Sequence, residues 1–198
     1  MTKPVGPSID DVRYAAHIKG GPDPGWEVRR LRLSEAVSEP YELSLELVAR
    51  VSVEEIDTDA LLGADLELEI ERGPLSRSVC GLVHRVSSVS ANADELLVHL
   101  HVVPAWSYLA QHVDTRIFQD QTVPEILAAV LGAALGQYGR KLDASRLHEG
   151  YVVRDYCVQY AESDFAFASR LMEEEGIGYV FRPEEAGGKP TGVELMVL

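Results

Sequence analysis

The sequence predicts a mainly β protein carrying two or more helices. Three observations lead there. Apolar and polar residues alternate with period two through much of the first hundred positions, the pattern of strands with one buried face. Two later segments carry helix start and stop residues. The composition, 198 residues with 46% hydrophobic and 25% charged, is that of a chain able to bury one good core or two small ones.

The strands are read first. Residues 11–18 and 26–33 look extended and flank Gly20-Gly21-Pro22-Asp23-Pro24-Gly25, a dense run of turn formers. Between 41 and 51, Leu43, Leu45, Leu47 and Val51 alternate with Glu42, Ser44, Glu46 and Arg50, and Leu66, Leu68 and Ile70 repeat the pattern against Glu67, Glu69 and Glu71. One short helical turn is expected at 57–62 before Gly63. Strands at 79–89 and 95–103 flank the polar tip Ala91-Asn92-Ala93-Asp94, a hairpin signal. Five or six strands in this half favour a small antiparallel barrel or sandwich.

The second half changes character. Thr122-Val123-Pro124-Glu125 is a capping box, so a helix starts there and is expected over 122–137; Ile126, Leu127, Val130, Leu131, Ala134 and Leu135 form its apolar face, and Gly136 and Gly139 supply the exit. A strand is expected at 152–160, then a helix over 163–175 capped by Ser163 and stopped by Gly176. Residues 177–181 form the next strand, 184–192 a turn, and 193–198 begin another strand.

Thirty-two acidic against 18 basic residues give a formal charge of −14, a field that disfavours nucleic acid and anionic lipid as partners. Cys80 and Cys157 lie far apart without a CxxC, which argues against a disulfide framework or a zinc knuckle. No secretory signal opens the chain and no run is apolar enough to span a bilayer. Synthesis in the cytoplasm without stable membrane insertion is therefore expected.

No nucleophile elbow, phosphate-binding loop, dinucleotide fingerprint or HExxH motif is present. His99 and His101 project from one strand face, and hairpin pairing would bring His84 near them, so spacing alone permits a zinc ion. The plainer reading is a wet sheet face, and no catalytic residue, metal or cofactor is expected. A second oddity is Glu173-Glu174-Glu175 in the last helical turn, where the backbone carbonyls already carry partial negative charge. Arg170 offsets part of this across one turn. Either the glutamates form a solvated helix end or they meet cations on another subunit.

These residues carry a resemblance. Arg154-Asp155-Tyr156-Cys157-Val158-Gln159-Tyr160, then Glu162-Ser163-Asp164-Phe165, then Ser169-Arg170-Leu171-Met172-Glu173-Glu174-Glu175-Gly176-Ile177, resembles the signature of VgrG, the spike proteins of bacterial type VI secretion, which are similar to phage baseplate hubs. Leu33-Ser34-Glu35, Pro40-Tyr41, Gly81 with Val83, and Phe118-Gln119 before the capping box agree in order. Ala161, Ala166 and Gly178 depart from the usual pattern.

The resemblance implies a hub of two related small β-barrels. Residues 1–10 would then be a tail, 11–110 the first barrel, and 111–198 part of a second that stops before it closes, with an exposed edge and weak stability or oligomerisation as the consequence. It further implies a non-enzymatic homotrimer that caps a hexameric inner-tube protein, contacts baseplate proteins and effectors, transmits the force of contraction and is ejected with the spike. Arg154, Asp155, Tyr156, Gln159, Tyr160, Glu162, Ser163, Asp164, Arg170, Glu173, Glu174, Glu175 and Gly176 are the motif and interface candidates it marks. The alternatives are a phage tail baseplate hub, a stand-alone β-rich binding module, or a zinc enzyme using His84, His99 and His101.

Overall fold

The alternation seen in the sequence becomes six strands in the computed structural model, which describes residues 12–51, 56–92, 95–148 and 150–198. They are β1 (Val12–Lys19), β2 (Glu27–Ser34), β3 (Glu42–Ala49), β4 (Asp65–Arg72), β5 (Leu75–Asn92) and β6 (Glu95–Val103). They form one sheet in the order β1-β4-β5-β6-β3-β2, so β1 and β2 are its terminal strands. Antiparallel registers pair Leu45 with Leu100 and Leu68 with Val79. This places Leu43, Leu45, Leu47, Leu66, Leu68, Leu96, Val98 and Leu100 on one buried face, as the period of two requires. The tail at 1–10 and positions 93–94 of the predicted hairpin tip lie outside the described residues.

The connections follow local chemistry. The expected helical turn is a 3-10 turn at Asp59–Leu61, entered through an Asp57 carboxylate that accepts the Asp59 N–H at 3.0 Å and left through Gly63 at positive φ. β4 and β5 join through Gly73-Pro74, a tighter hairpin than the sequence reading, which left 72–78 unassigned.

The chain folds as two compact units, one drawing on Met1–Leu33, Leu43–Val102 and Glu185–Gly192, the other on Ser34–Glu42, Val103–Glu184 and Val193–Leu198. Within the first, Lys19 Nζ donates to the Thr191 carbonyl at 2.8 Å. Gly192 holds a positive φ of 79°, the conformation that favours glycine, and a Cβ there would displace the Lys19 ammonium.

The second unit is mixed. It holds a 3-10 segment (Ala105–Gln111), β7 (Val113–Phe118), α1 (Val123–Gly136), β8 (Lys141–Asp143), β9 (Cys157–Ser163) and α2 (Asp164–Glu175). β10 (Val180–Ala186) and β11 (Lys189–Val197) follow, with the chain reversing at Gly187-Gly188. β7 pairs with β9, and β11 lies between β10 and β8, parallel to the latter. The capping box of α1 is formed, and the Glu125 carboxylate accepts from both the N–H and the hydroxyl of Thr122 at 2.8 Å. The face predicted for α1 is the buried one. Trp106, Leu109, Ile126, Leu127, Leu131, Phe167 and Leu171 make up the core.

Three expectations are corrected. The strand read at 177–181 runs instead over Val180–Ala186, and the turn read at 184–192 narrows to Gly187-Gly188. The strand read at 152–160 begins only at Cys157, because Val152, Val153 and Tyr156 are exposed and have no face to bury; among the described residues an isolated bridge between Gln121 and Arg154 pairs the stretch before it. Acidic residues read as solvated surface include two that are buried, Asp164 and Glu194. Glu194 accepts from the Tyr41 hydroxyl at 3.1 Å and the Ala105 N–H, with Arg140 Nε 3.9 Å away.

The core assignment predicts that Phe167→Ala lowers the unfolding free energy by about 3–5 kcal/mol, through lost transfer energy and a residual cavity. Val152→Ala on the surface should change it by less than about 0.5 kcal/mol. Urea titration followed by circular dichroism measures both.

Candidate functional site

Arg154 to Phe181 folds as one module around the end of β9 and the whole of α2. Its geometry starts from an irregularity. Between Asp114–Glu162 and Arg116–Gln159 the β7–β9 register shifts, so Tyr160 and Ala161 together oppose Thr115. That is a β-bulge, and its residue Ala161 takes a positive φ of 48°, with its N–H donating to the Thr115 hydroxyl at 3.1 Å. The bulge turns the chain into Ser163, whose hydroxyl accepts the Ala166 N–H at 3.1 Å and starts α2. Gly176 ends the helix in the left-handed region: its N–H reaches the Glu173 carbonyl and the Ile177 N–H the Met172 carbonyl at 2.8 Å, the Schellman pair.

At the first residue of α2, the Asp164 carboxylate is fully buried. It accepts from Gln159 Nε2 at 2.8 Å, lies 2.9 Å from His112 Nδ1, and meets Arg116 Nη2 at 3.2 Å. The Asp164 N–H donates to the His112 carbonyl at 2.9 Å. A carboxylate taken out of water needs such partners, and the positive end of the helix dipole adds to them. Gln159, also fully buried, spends its amide N–H groups on Asp164 and on the Glu162 carbonyl. Asp164 and Gln159 therefore pin β7, β9 and α2 together and present nothing to a partner.

The acidic helix end is compensated inside the chain. Arg154 donates through Nη1 to Glu174 at 2.8 Å and through Nη2 to Glu175 at 2.7 Å. Arg170 makes the expected contact to Glu174, at 3.3 Å, and a shorter one to Glu162 at 2.8 Å, with its guanidinium over the Phe167 ring. The Arg154 hydrogen bond, chiefly, holds the Glu174 carboxyl below its usual range, with Arg170 assisting against partial desolvation; the bond to Glu175, chiefly, raises the Arg154 guanidinium pKa, and the bond to Glu162, chiefly, that of Arg170. The sequence reading found Arg170 because it sits one turn away, and missed Arg154 as a partner because it is twenty residues upstream.

Glu174 stays exposed despite its two arginines, and Glu173, exposed as well, makes no ion pair with either of them. Glu173 stands at a groove of about 440 Å³ that Phe165, Ser169, Gly178 and Tyr179 help to line. The segment at 37–38 lies beside Gly178, where the Ser38 N–H donates to the Tyr179 carbonyl at 2.9 Å; a Cβ at 178 would make ordinary contact with Ser38 Oγ at 3.5 Å. Asp155 and Tyr156 are exposed, and Tyr160 is 77% exposed. Together with Val113 and Ile117 of β7, Tyr160 gives this two-stranded ribbon an apolar outer face, while Arg116, Gln159, Phe118 and Cys157 occupy the more buried side.

The three histidines do not assemble a metal site. His99 Nε2 turns to Glu46 at 3.3 Å, and the His84 and His101 rings sit edge to face 6.1 Å apart. Among the described residues no three His, Cys, Asp or Glu side chains are placed to hold a metal ion.

Comparison with known proteins places this geometry. A family model described as the phage tail baseplate hub (GPD) matches residues 34–197. The type VI secretion system spike protein VgrG4b of Pseudomonas aeruginosa is 39% identical over 150 residues, 75% of this chain and 18% of that protein. The actin cross-linking toxin VgrG1 of Vibrio cholerae is 32% identical over 190 residues, 91% of this chain and 17% of that protein. The chain thus spans less than a fifth of these relatives. Among solved structures, the E. coli c3393 protein, described as a type VI secretion component similar to the T4 tail proteins gp27 and gp5, superposes with TM-score 0.72 at 22% identity, covering 92% of this chain and 48% of that one.

Two measurements test the module. Asp164→Ala strands the buried Gln159 amide while Arg116 keeps its bond to Asp114 at 2.7 Å, and should cost about 1–3 kcal/mol in urea unfolding. Glu174 has a lowered folded pKa, so its contribution to stability is present above the ordinary glutamate value of about 4.3 and is lost as pH falls through the folded value. Carboxyl-carbon NMR titration should place the Glu174 midpoint below that ordinary value, and Arg154→Met should return it upward.

Proposed function

The chain belongs to the phage tail baseplate hub (GPD) family, and from that premise we propose that it is the hub-like part of a type VI secretion spike. The observation that carries the reading is the module at 154–181. Its internal charges are satisfied within the chain, by Arg154, Arg170, Arg116 and Gln159, while its outer ribbon of Val113, Ile117 and Tyr160 stays apolar and exposed. A firmly packed support beneath an exposed apolar face is what a contact between subunits needs.

In this reading the protein acts without catalysis, as a homotrimer that caps a hexameric inner tube, meets baseplate proteins and effectors, and passes on the thrust of contraction. Closed threefold symmetry lets the same ribbon serve every subunit. It is assembled in the cytoplasm and leaves the cell with the spike. The second reading is a phage tail baseplate hub, which the description of the matching family favours. The toxin relative's name stays with that protein, since this chain covers 17% of it.

Sedimentation analysis over a concentration series should show a trimer, and a co-expressed hexameric tube protein should co-purify. Ile117→Glu with Tyr160→Glu should abolish both while leaving the thermal unfolding midpoint in place. A monomer at every concentration that captures no tube protein overturns the proposal.

A further inference from the structure

In a chain of net charge −14 with 32 carboxylates to 18 basic side chains, an arginine without a partner is unexpected. Three of them converge on one hollow. A concavity of about 420 Å³ on the six-stranded sheet is lined by Arg30 and Arg32 of β2, Arg85 of β5, and His99 and His101 of β6. Arg30, Arg32 and Arg85 are exposed, and none of them makes an ion pair or hydrogen bond to a described residue. The one carboxylate in the hollow, Glu46 of β3, is already held by Arg29 at 3.4 Å and His99 at 3.3 Å. The hollow is therefore left with three uncommitted guanidiniums.

Charged side chains on a terminal strand also guard against edge pairing, and β2 is terminal in this sheet. That role accounts for charge on β2 but not for Arg85, which comes from β5, three strands away in the order β5-β6-β3-β2. We infer that this hollow binds an acidic, extended segment of a partner protein, with carboxylates at alternating positions.

Arg30 and Arg32 are two residues apart on a strand, about 6.6 Å along it, and carboxylates two apart on an extended segment have the same spacing. Guanidinium and carboxylate match as planar, two-point hydrogen-bonding groups. A long nucleic acid is the poorer ligand, since the acidic remainder of the chain repels a polyphosphate that must run beyond the hollow. The inference stands apart from the spike reading, because it rests on residues of the sheet and not on the module at 154–181.

The test uses the whole chain and a fluorescein-labelled peptide of four Glu-Thr repeats in fluorescence anisotropy. The peptide should bind, more weakly as salt rises. Charge reversal removes two charge-assisted contacts and sets like charges against the peptide, so Arg30→Glu with Arg32→Glu should weaken binding at least ~10-fold. The charge-matched control Arg182→Glu with Lys189→Glu, at exposed positions, should stay within ~3-fold, since its change acts only through the screened general field. Arg85→Gln serves as a milder variant if the double reversal unfolds, and should lose at least ~3-fold, because its partners lie in the same hollow. Equal losses in the control, an oligothymidine of equal charge binding as tightly, or self-association lost in the variants without peptide binding would each overturn the inference.

Discussion

A carboxylate with no exposed surface needs positive and polar partners on every side, and Asp164 collects them from separate stretches of chain. Arg116 reaches it from β7, Gln159 from β9 and His112 from the end of the 3-10 segment, while Asp164 itself opens α2. Each partner fixes one neighbouring element. The β7–β9 register, the bulge at Ala161 and the entry angle of α2 all follow from satisfying this one charge. Apolar replacement of a buried ion pair is often neutral for stability; what the charge adds here is that Arg116, Gln159 and His112 must all reach one carboxylate.

From that pin the helix runs to a second electrostatic fixture. Three glutamates at a helix C-terminus oppose the dipole, and Arg154 answers two of them across twenty residues. The helix is thus tied at its start by a buried anion with cations around it, and at its end by a cation with anions around it. With Asp164, Glu174 and Glu175 met internally, the module can leave an apolar ribbon outward without an unpaired buried charge beneath it.

Much of this was legible in the sequence where the signal is local. Period two gave β3, β4 and β6; the capping box gave α1; Ser163 and Gly176 bounded α2 to within a residue. The pair Arg170–Glu174 lies one turn apart and was read directly. What escaped depends on contacts distant in sequence. Asp164 and Glu194 look like any other acidic residue until the fold buries them, and Arg154 looks like part of a strand until α2 packs beside it. β7 has alternation too weak to mark, and β8 is three residues long. The histidines read as a wet sheet face, with a ligand set permitted by spacing alone, and in the structure His99 lies 3.3 Å from Glu46.

The central claim is that the ribbon bearing Tyr160 is a contact surface between subunits of an assembled machine. The most direct measurement places a photo-crosslinking phenylalanine analogue at position 160 in the native protein, inside cells that assemble the apparatus, with position 75 as an exposed comparison on the other unit. The account predicts covalent adducts from position 160 to a second copy of the chain or to the tube protein, in excess of those from position 75. Equal or absent adducts at position 160 in cells with assembled apparatus would contradict it.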